Sequence, residues 1–336
     1  MPDHPAPAPA HPRDVFTYRG GEAVETAFLD AIGRGRLHHA WLLVGPEGVG
    51  KATFAYRAAR RLMGAAADPA LGLLGSAPGD PVSRQISARS HPDLMVLERA
   101  GEDGKARKVI PVDDARKLPE FFSKAPAISP WRVAIVDSID DMNANAANAL
   151  LKTLEEPPER GVLFLISHAP GGLLPTIRSR CRRLRFHPWP EAETADFVRE
   201  QIGVSEEDAI RLARMSGGAP GRAVELAGRD ALEVDRAAHA LLASLPNVDM
   251  AAMMALGESF RGPEGMPRFS LLMERLAEQV HQMAVATADK PGPDGDRWSQ
   301  VWTRLNELPG EVEGVNLDRA DAFWTALGEL RGAARA

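Results

Sequence analysis

The chain has 336 residues, 44% of them apolar and 26% charged, with a formal net charge of −6. That length fits two or three globular domains, and no run of about 18 apolar residues offers a membrane span. The single cysteine, Cys181, excludes an internal disulfide and a cysteine zinc cluster, and the acidic balance argues against a surface coated for nucleic acid while leaving room for a local basic patch.

Residues 1–12 are rich in Pro and Ala and lack the basic start and apolar core of a secretory leader. Residues 1–14 are therefore expected to form a disordered, partly polyproline extension, and the compartment is expected to be the cytoplasm. Val24 to Gly35 reads as an amphipathic helix with Val24, Ala27, Phe28, Ala31 and Ile32 on one face. Ala40 to Val44 is a short buried strand, and Thr53 to Met63 continues as a helix. Residues 65–90, rich in Ala, Gly, Pro and Ser, read as a surface insertion. Leu94 to Leu97 predicts a second strand, Val112 to Phe122 a helix, and Trp131 to Asp137 a third strand. Asn145 to Glu156 reads as a helix stopped by Pro157 and Pro158, followed by a strand over Val162 to Ser167. Strands alternating with helices imply a doubly wound parallel sheet, an α/β architecture. Beyond Pro188-Trp189-Pro190 the pattern is helical to the end, punctuated by Gly217 to Gly221 and by a Pro/Gly/Asp segment at 289–296.

Between the first strand and its helix stands Gly45-Pro46-Glu47-Gly48-Val49-Gly50-Lys51-Ala52-Thr53. It follows the phosphate-loop pattern G-x-x-x-x-G-K-[ST] except at the last position. Glycines there let backbone N–H groups wrap phosphates, the lysine reaches the terminal ones, and the hydroxyl holds Mg²⁺. Ala52 has no oxygen to offer, and Thr53 sits about 100° further round the helix. The loop reads as built to hold a nucleotide, or once to have held one, and poorly built to hydrolyse it.

Asp137, closing an apolar strand, fits the acid that engages Mg²⁺ through water in such sites; a buried strand ending in a turn is the plain alternative. Ser138 stands where hydrolytic proteins place a glutamate, and its hydroxyl is a very weak base. Arg178 to Arg185 holds five arginines in eight residues. It reads three ways: a phosphate-contacting patch, ordinary solvated surface, or an arginine finger presented to a neighbour's nucleotide. Cys181 within it is expected to be a packed side chain. Arg222 opens a helix and either reaches a phosphate or decorates a surface. His38 and His39, entering a strand, should face opposite sides and hold no metal. Met250, Met253 and Met254 read as core filler.

Together, Arg36-Leu37-His38-His39-Ala40, His91-Pro92-Asp93-Leu94 and Asn148 to Pro158 resemble the bacterial clamp-loader subunits of the AAA+ family, in particular the delta prime type. Leu174 to Cys181, Gly218 to Arg222 and Val315-Asn316-Leu317-Asp318 carry the same resemblance, dense from Tyr18 to Leu226 and thin afterwards. It implies an α/β AAA+ module over 15–188, a small helical lid over 189–230 and an all-α collar over 231–336. Ser179-Arg180-Cys181 then matches a motif whose arginine acts in trans; Ser167 falls at the sensor-1 position and Arg222 near sensor 2. The partners implied are clamp-loader ATPase subunits and a delta subunit in a hetero-pentameric ring, with the sliding clamp and primed DNA reached through the complex and no membrane. Many members carry a four-cysteine zinc module where this chain has Ser83 to Ser90 without cysteine, so no zinc and a looser or differently packed insertion are expected. No cofactor is required; ATP is the nucleotide the loop would hold, with Ala52 weighing against tight binding. The resulting expectation is a subunit without intrinsic hydrolysis. An ATP-hydrolysing motor subunit and a stand-alone DNA-binding protein are the competing readings.

Overall fold

Short apolar runs alternating with helices build a five-stranded sheet. The computed structural model describes residues 10–99, 107, 109–228, 230–262, 265–287 and 293–335, the side chains of 286, 287 and 293–295 excepted. The strands are β1 (Ala40–Val44), β2 (Leu94–Glu98), β3 (Arg132–Asp137), β4 (Gly161–Ser167) and β5 (Arg182–Arg185), ordered β2-β3-β4-β1-β5 with every pairing parallel. Helix α1 (Glu22–Gly33) precedes β1, and α2 (Lys51–Leu62), α3 (Pro81–Ser87), α4 (Val112–Ala115), α5 (Lys117–Ser123), α6 (Ala144–Glu155) and α7 (Pro175–Arg180) lie between the strands in sequence.

Side chains alternate across each strand. Trp41, Leu43, Val133 and Ile135 pack with Phe28 of α1 and Phe54 of α2 on one face. Leu42, Val44, Ala134 and Val136 pack with Leu118 of α5, Leu150 of α6 and Ile177 of α7 on the other. Because both faces are covered, the inner strands read as continuous apolar runs. With α8 (Glu191–Ile202), α9 (Glu206–Met215) and the start of α10 (Pro220–Ala227), this forms one compact unit, residues 10–224.

Residues 225–335 form a second, all-helical unit. It contains α11 (Ala231–Ser244), α12 (Met250–Glu258), α13 (Gly265–Thr287), α14 (Pro293–Val315) and α15 (Arg319–Arg335). Phe260 anchors its core, meeting Phe269 and Phe323 at 5.5 and 5.4 Å between ring centres, both near edge-on. The architecture is an α/β module with a doubly wound parallel sheet, followed by helices.

Several sequence expectations need correction. Arg182–Arg185, read as a charge run, is the fifth strand, pairing with the free edge of β1. The helix expected from Val112 to Phe122 is two short ones, because Pro119 has no N–H to donate back to residue 115. Of the N-terminal extension, residues 1–9 lie outside the described residues. Pro12–Asp14 is a 3₁₀ turn held by Arg60, which donates to the Arg13 carbonyl. Residues 65–90, expected as a surface insertion, looser or differently packed, expose about half their side chains yet are pinned to the core. A buried Glu25–Arg57 ion pair at 2.8 Å reaches into them, Arg57 donating to the Leu71 carbonyl and Glu25 accepting from Leu74 N–H. Asp80 caps α3 within them. Met253 is buried, but Met250 and Met254 are exposed. In the segment 289–296, residues 289–292 lie outside the described residues and 293–296 begin α14.

Candidate functional site

The glycine loop leaves the C-terminal end of β1 and opens α2. Gly48 and Gly50 adopt φ of +81° and +94°, a region that L side chains occupy only with strain. Gly50 caps α2, so the free amides and positive end of that helix point into the loop. Both glycines are also closely covered. A Cβ on Gly48 would lie 2.4 Å from the backbone nitrogen of Arg222, and one on Gly50 2.7 Å from the Tyr18 ring. Gly221 N–H donates to the Gly48 carbonyl at 2.9 Å. Arg222 thus meets the loop through its main chain, at the start of α10.

Lys51 is 3% exposed. Its ammonium donates to the carbonyls of Gly45 at 2.6 Å and Pro46 at 2.5 Å, and to His168 Nδ1 at 2.9 Å. Burial draws its pKa down to about 8, against the pull of Asp137, Glu47 and Asp140. Pro46 and Glu47 are exposed, Val49 is buried and Thr53 half-buried. The Ala52 methyl packs toward the core.

Asp137 ends β3 opposite Glu98 in the ladder. Burial first, then Glu98, push its carboxyl up to about 6, with Lys51 pulling the other way. The buried Ser138 hydroxyl donates to Asp141 at 2.9 Å and closes a capping box on the 3₁₀ turn Ile139–Asp141. Ser167, fully buried at the end of β4, donates to Asp140 at 2.9 Å, and His168 N–H donates to the other Asp140 oxygen at 2.5 Å. Both serine hydroxyls are therefore spent on carboxylates of the same turn. The open N-terminus of α2 is the one feature here, among the described residues, that suits a phosphate. The side chains do not fit Mg²⁺: the hydroxyl position is a methyl, and Asp137 sits where its charged form is disfavoured.

The arginine run begins at the other end of the sheet and follows β5 back to the loop side. Register places Arg182 beside Trp41 and Arg185 beside Val44, so the length of β5, roughly 10 Å, separates its start from the loop side. Arg180 ends α7, two residues before that start. Its guanidinium donates to Glu155 at 3.0 Å and to the Thr176 carbonyl at 3.1 Å, and its side chain remains 36% exposed. The exposed Ser179 hydroxyl donates to the Thr176 carbonyl at 3.1 Å. Cys181 packs against the core, and burial pushes its thiol up to about 12, so it is inert as a nucleophile. Arg182 stacks over Trp41 at 5.0 Å, and Arg182, Arg183 and Arg185 are exposed around buried Leu184. The structure gathers Gly45 to Thr53, Asp137, Ser167 and the Arg222 main chain at one place, and keeps Ser179, Arg180 and Cys181 away from it.

Residues 20–190 match the family described as DNA polymerase III, delta subunit. The delta prime subunit of DNA polymerase III from Escherichia coli K12 is 30% identical over 281 residues, covering 83% of this chain and 82% of that one. The chain belongs to the DNA polymerase III delta prime family. The delta prime subunit of Pseudomonas aeruginosa is 37% identical over 203 residues, 60% of this chain and 59% of that one. The gamma/tau subunit of Mycobacterium tuberculosis is 31% identical across 94% of this chain and 57% of its own length. Among solved structures, a DNA polymerase III gamma subunit-related protein from Thermotoga maritima aligns with 92% of this chain and 100% of its own, at 19% identity and a TM-score of 0.47.

Sequence reasoning missed His168 and Asp140 within the stretch that the family matches, and Tyr18 just before it. The one usable pointer to His168 was its place directly after Ser167. That pointer works only once β4 is known to lie beside β1, with Ser167 opposite Val44. His38 and His39 do not face opposite sides; their rings stack at 4.5 Å, and they bond to the carbonyls of Ala40 and Leu154. Among the described residues no group of three or more His, Cys, Asp or Glu is placed to hold a metal, and no helix is long and apolar enough to cross a membrane.

Proposed function

We propose that this chain is a clamp-loader subunit that does not turn ATP over itself and lends Arg180 to the nucleotide of a neighbouring subunit. The observation that carries this is the position of Arg180, half-exposed just before the start of β5 and held there by Glu155, while its own loop lies past the other end of the strand. A guanidinium placed so serves a phosphate outside the chain, and its fork suits bidentate contact with phosphate oxygens. Ala52, and Ser138 bonded to Asp141, support the absence of turnover. The glycine loop then serves the fold, with ATP not required. The partners in this reading are clamp-loader ATPase subunits and a delta subunit in a hetero-pentameric ring, acting in the cytoplasm on the sliding clamp and primed DNA. Residues 189–230 act as a lid and 231–336 as the collar.

The test is Arg180→Ala in the reconstituted complex. The complex should assemble, with its DNA-stimulated ATPase lowered about 10³–10⁵-fold, while the isolated unaltered chain releases no phosphate from ATP. Normal activity in the variant complex overturns the finger. Sustained release by the isolated chain, lost in Lys51→Ala, replaces this reading with a motor subunit.

A further inference from the structure

We infer that His168 is a built-in competitor for the loop lysine: its imidazole occupies a donor of Lys51 that a polyphosphate would need, and so sets how weakly this loop takes a nucleotide. An ammonium group has three donors and no acceptor. Here all three are engaged at 2.5–2.9 Å, by Gly45, Pro46 and His168. Two of those acceptors are carbonyls of the loop itself and move with it. The third arrives from β4 and is independent of the loop.

His168 is not a loose side chain that happens to lie nearby. Its N–H donates to Asp140, and the second oxygen of that carboxylate is held by Ser167, so the residue is tied at its backbone to the turn after β3. Accepting from Lys51 requires a neutral ring with its proton on Nε2. Burial, followed by the charge of Lys51, keeps the ring below its ordinary pKa and favours that form. A phosphate entering at the N-terminus of α2 must take at least one Lys51 donor, and displacing a buried charge-assisted bond weakens binding about 10- to 100-fold. The inference rests on the reading that the loop is not a site of turnover. Its test concerns binding by the isolated chain, where Arg180 plays no part, so the two fail separately.

The experiment is calorimetric titration of the full chain with inorganic tripolyphosphate and with ATP, without added metal. His168→Ala should bind both at least about tenfold more tightly than the unaltered chain, and adding Lys51→Ala should remove the gain. His168→Asn, whose Oδ1 restores an acceptor near the Nδ1 position, should stay weak. If the alanine variant melts early, His168→Leu keeps the bulk without the nitrogen and should show the same gain. No gain in a folded variant lacking the acceptor, or an equal gain in His168→Asn, overturns the inference.

Discussion

The two ends of the sheet treat their polar groups in opposite ways. At the glycine loop three side chains that could meet a nucleotide are turned inward: Lys51 onto two loop carbonyls and His168, Ser138 onto Asp141, Ser167 onto Asp140. At the start of β5 the cations are turned outward, with Arg182 exposed and Arg180 steadied by one surface carboxylate. The loop keeps the shape of a nucleotide site while its donors are satisfied internally. The arginine end has the donors without a partner site of its own. That division is what the proposed function relies on.

The largest effect expected comes from damaging one end at a time in the assembled complex. Arg180→Ala should lower ATPase about 10³-fold or more, whereas Lys51→Ala should leave it close to that of the unaltered complex. Equal losses would erase the distinction between the ends. Next in size is Asp137→Asn. The folded pKa of Asp137, about 6, stands above the roughly 3.9 of an unfolded aspartate. Its contribution to stability is therefore full below about pH 4 and lost as pH rises to 6, because the unfolded chain releases the proton first. Urea unfolding should show Asp137→Asn more stable by about 2–3 kcal/mol at pH 7.5 and unchanged at pH 4.

Gly48→Ala tests how tightly the loop is covered. With φ at +81° and the Arg222 nitrogen 2.4 Å from the new Cβ, a loss of about 2 kcal/mol is expected by the same assay. Gly171→Ala, where a Cβ meets nothing within 4 Å, is the control and should be nearly neutral. The smallest effect belongs to Glu155→Ala. An exposed ion pair is worth at most about 1 kcal/mol, so thermal unfolding should barely move. A larger loss would mean that Arg180 is a structural residue and not a presented one.

How much of this was legible in the sequence depended on how local each feature is. The first strand, the glycine loop and the helix after it were readable because consecutive residues build them: an apolar run, then glycines, then helix formers. The third and fourth strands were readable for the same reason, being buried on both faces. Arg182–Arg185 was not, since its single apolar residue, Leu184, gives no pattern; it is a strand because β1 offers an open edge. The fate of Lys51 was not legible either. Its partner His168 lies 117 residues away in the chain and arrives only through the pairing of β1 with β4. By itself the sequence determined the kind of fold, the loop and its missing hydroxyl, because these depend on residue type and short spacing. Only the tertiary structure decided which donors are consumed and which cation remains available, because hydrogen bonds are shared out among groups that the chain brings together from far apart.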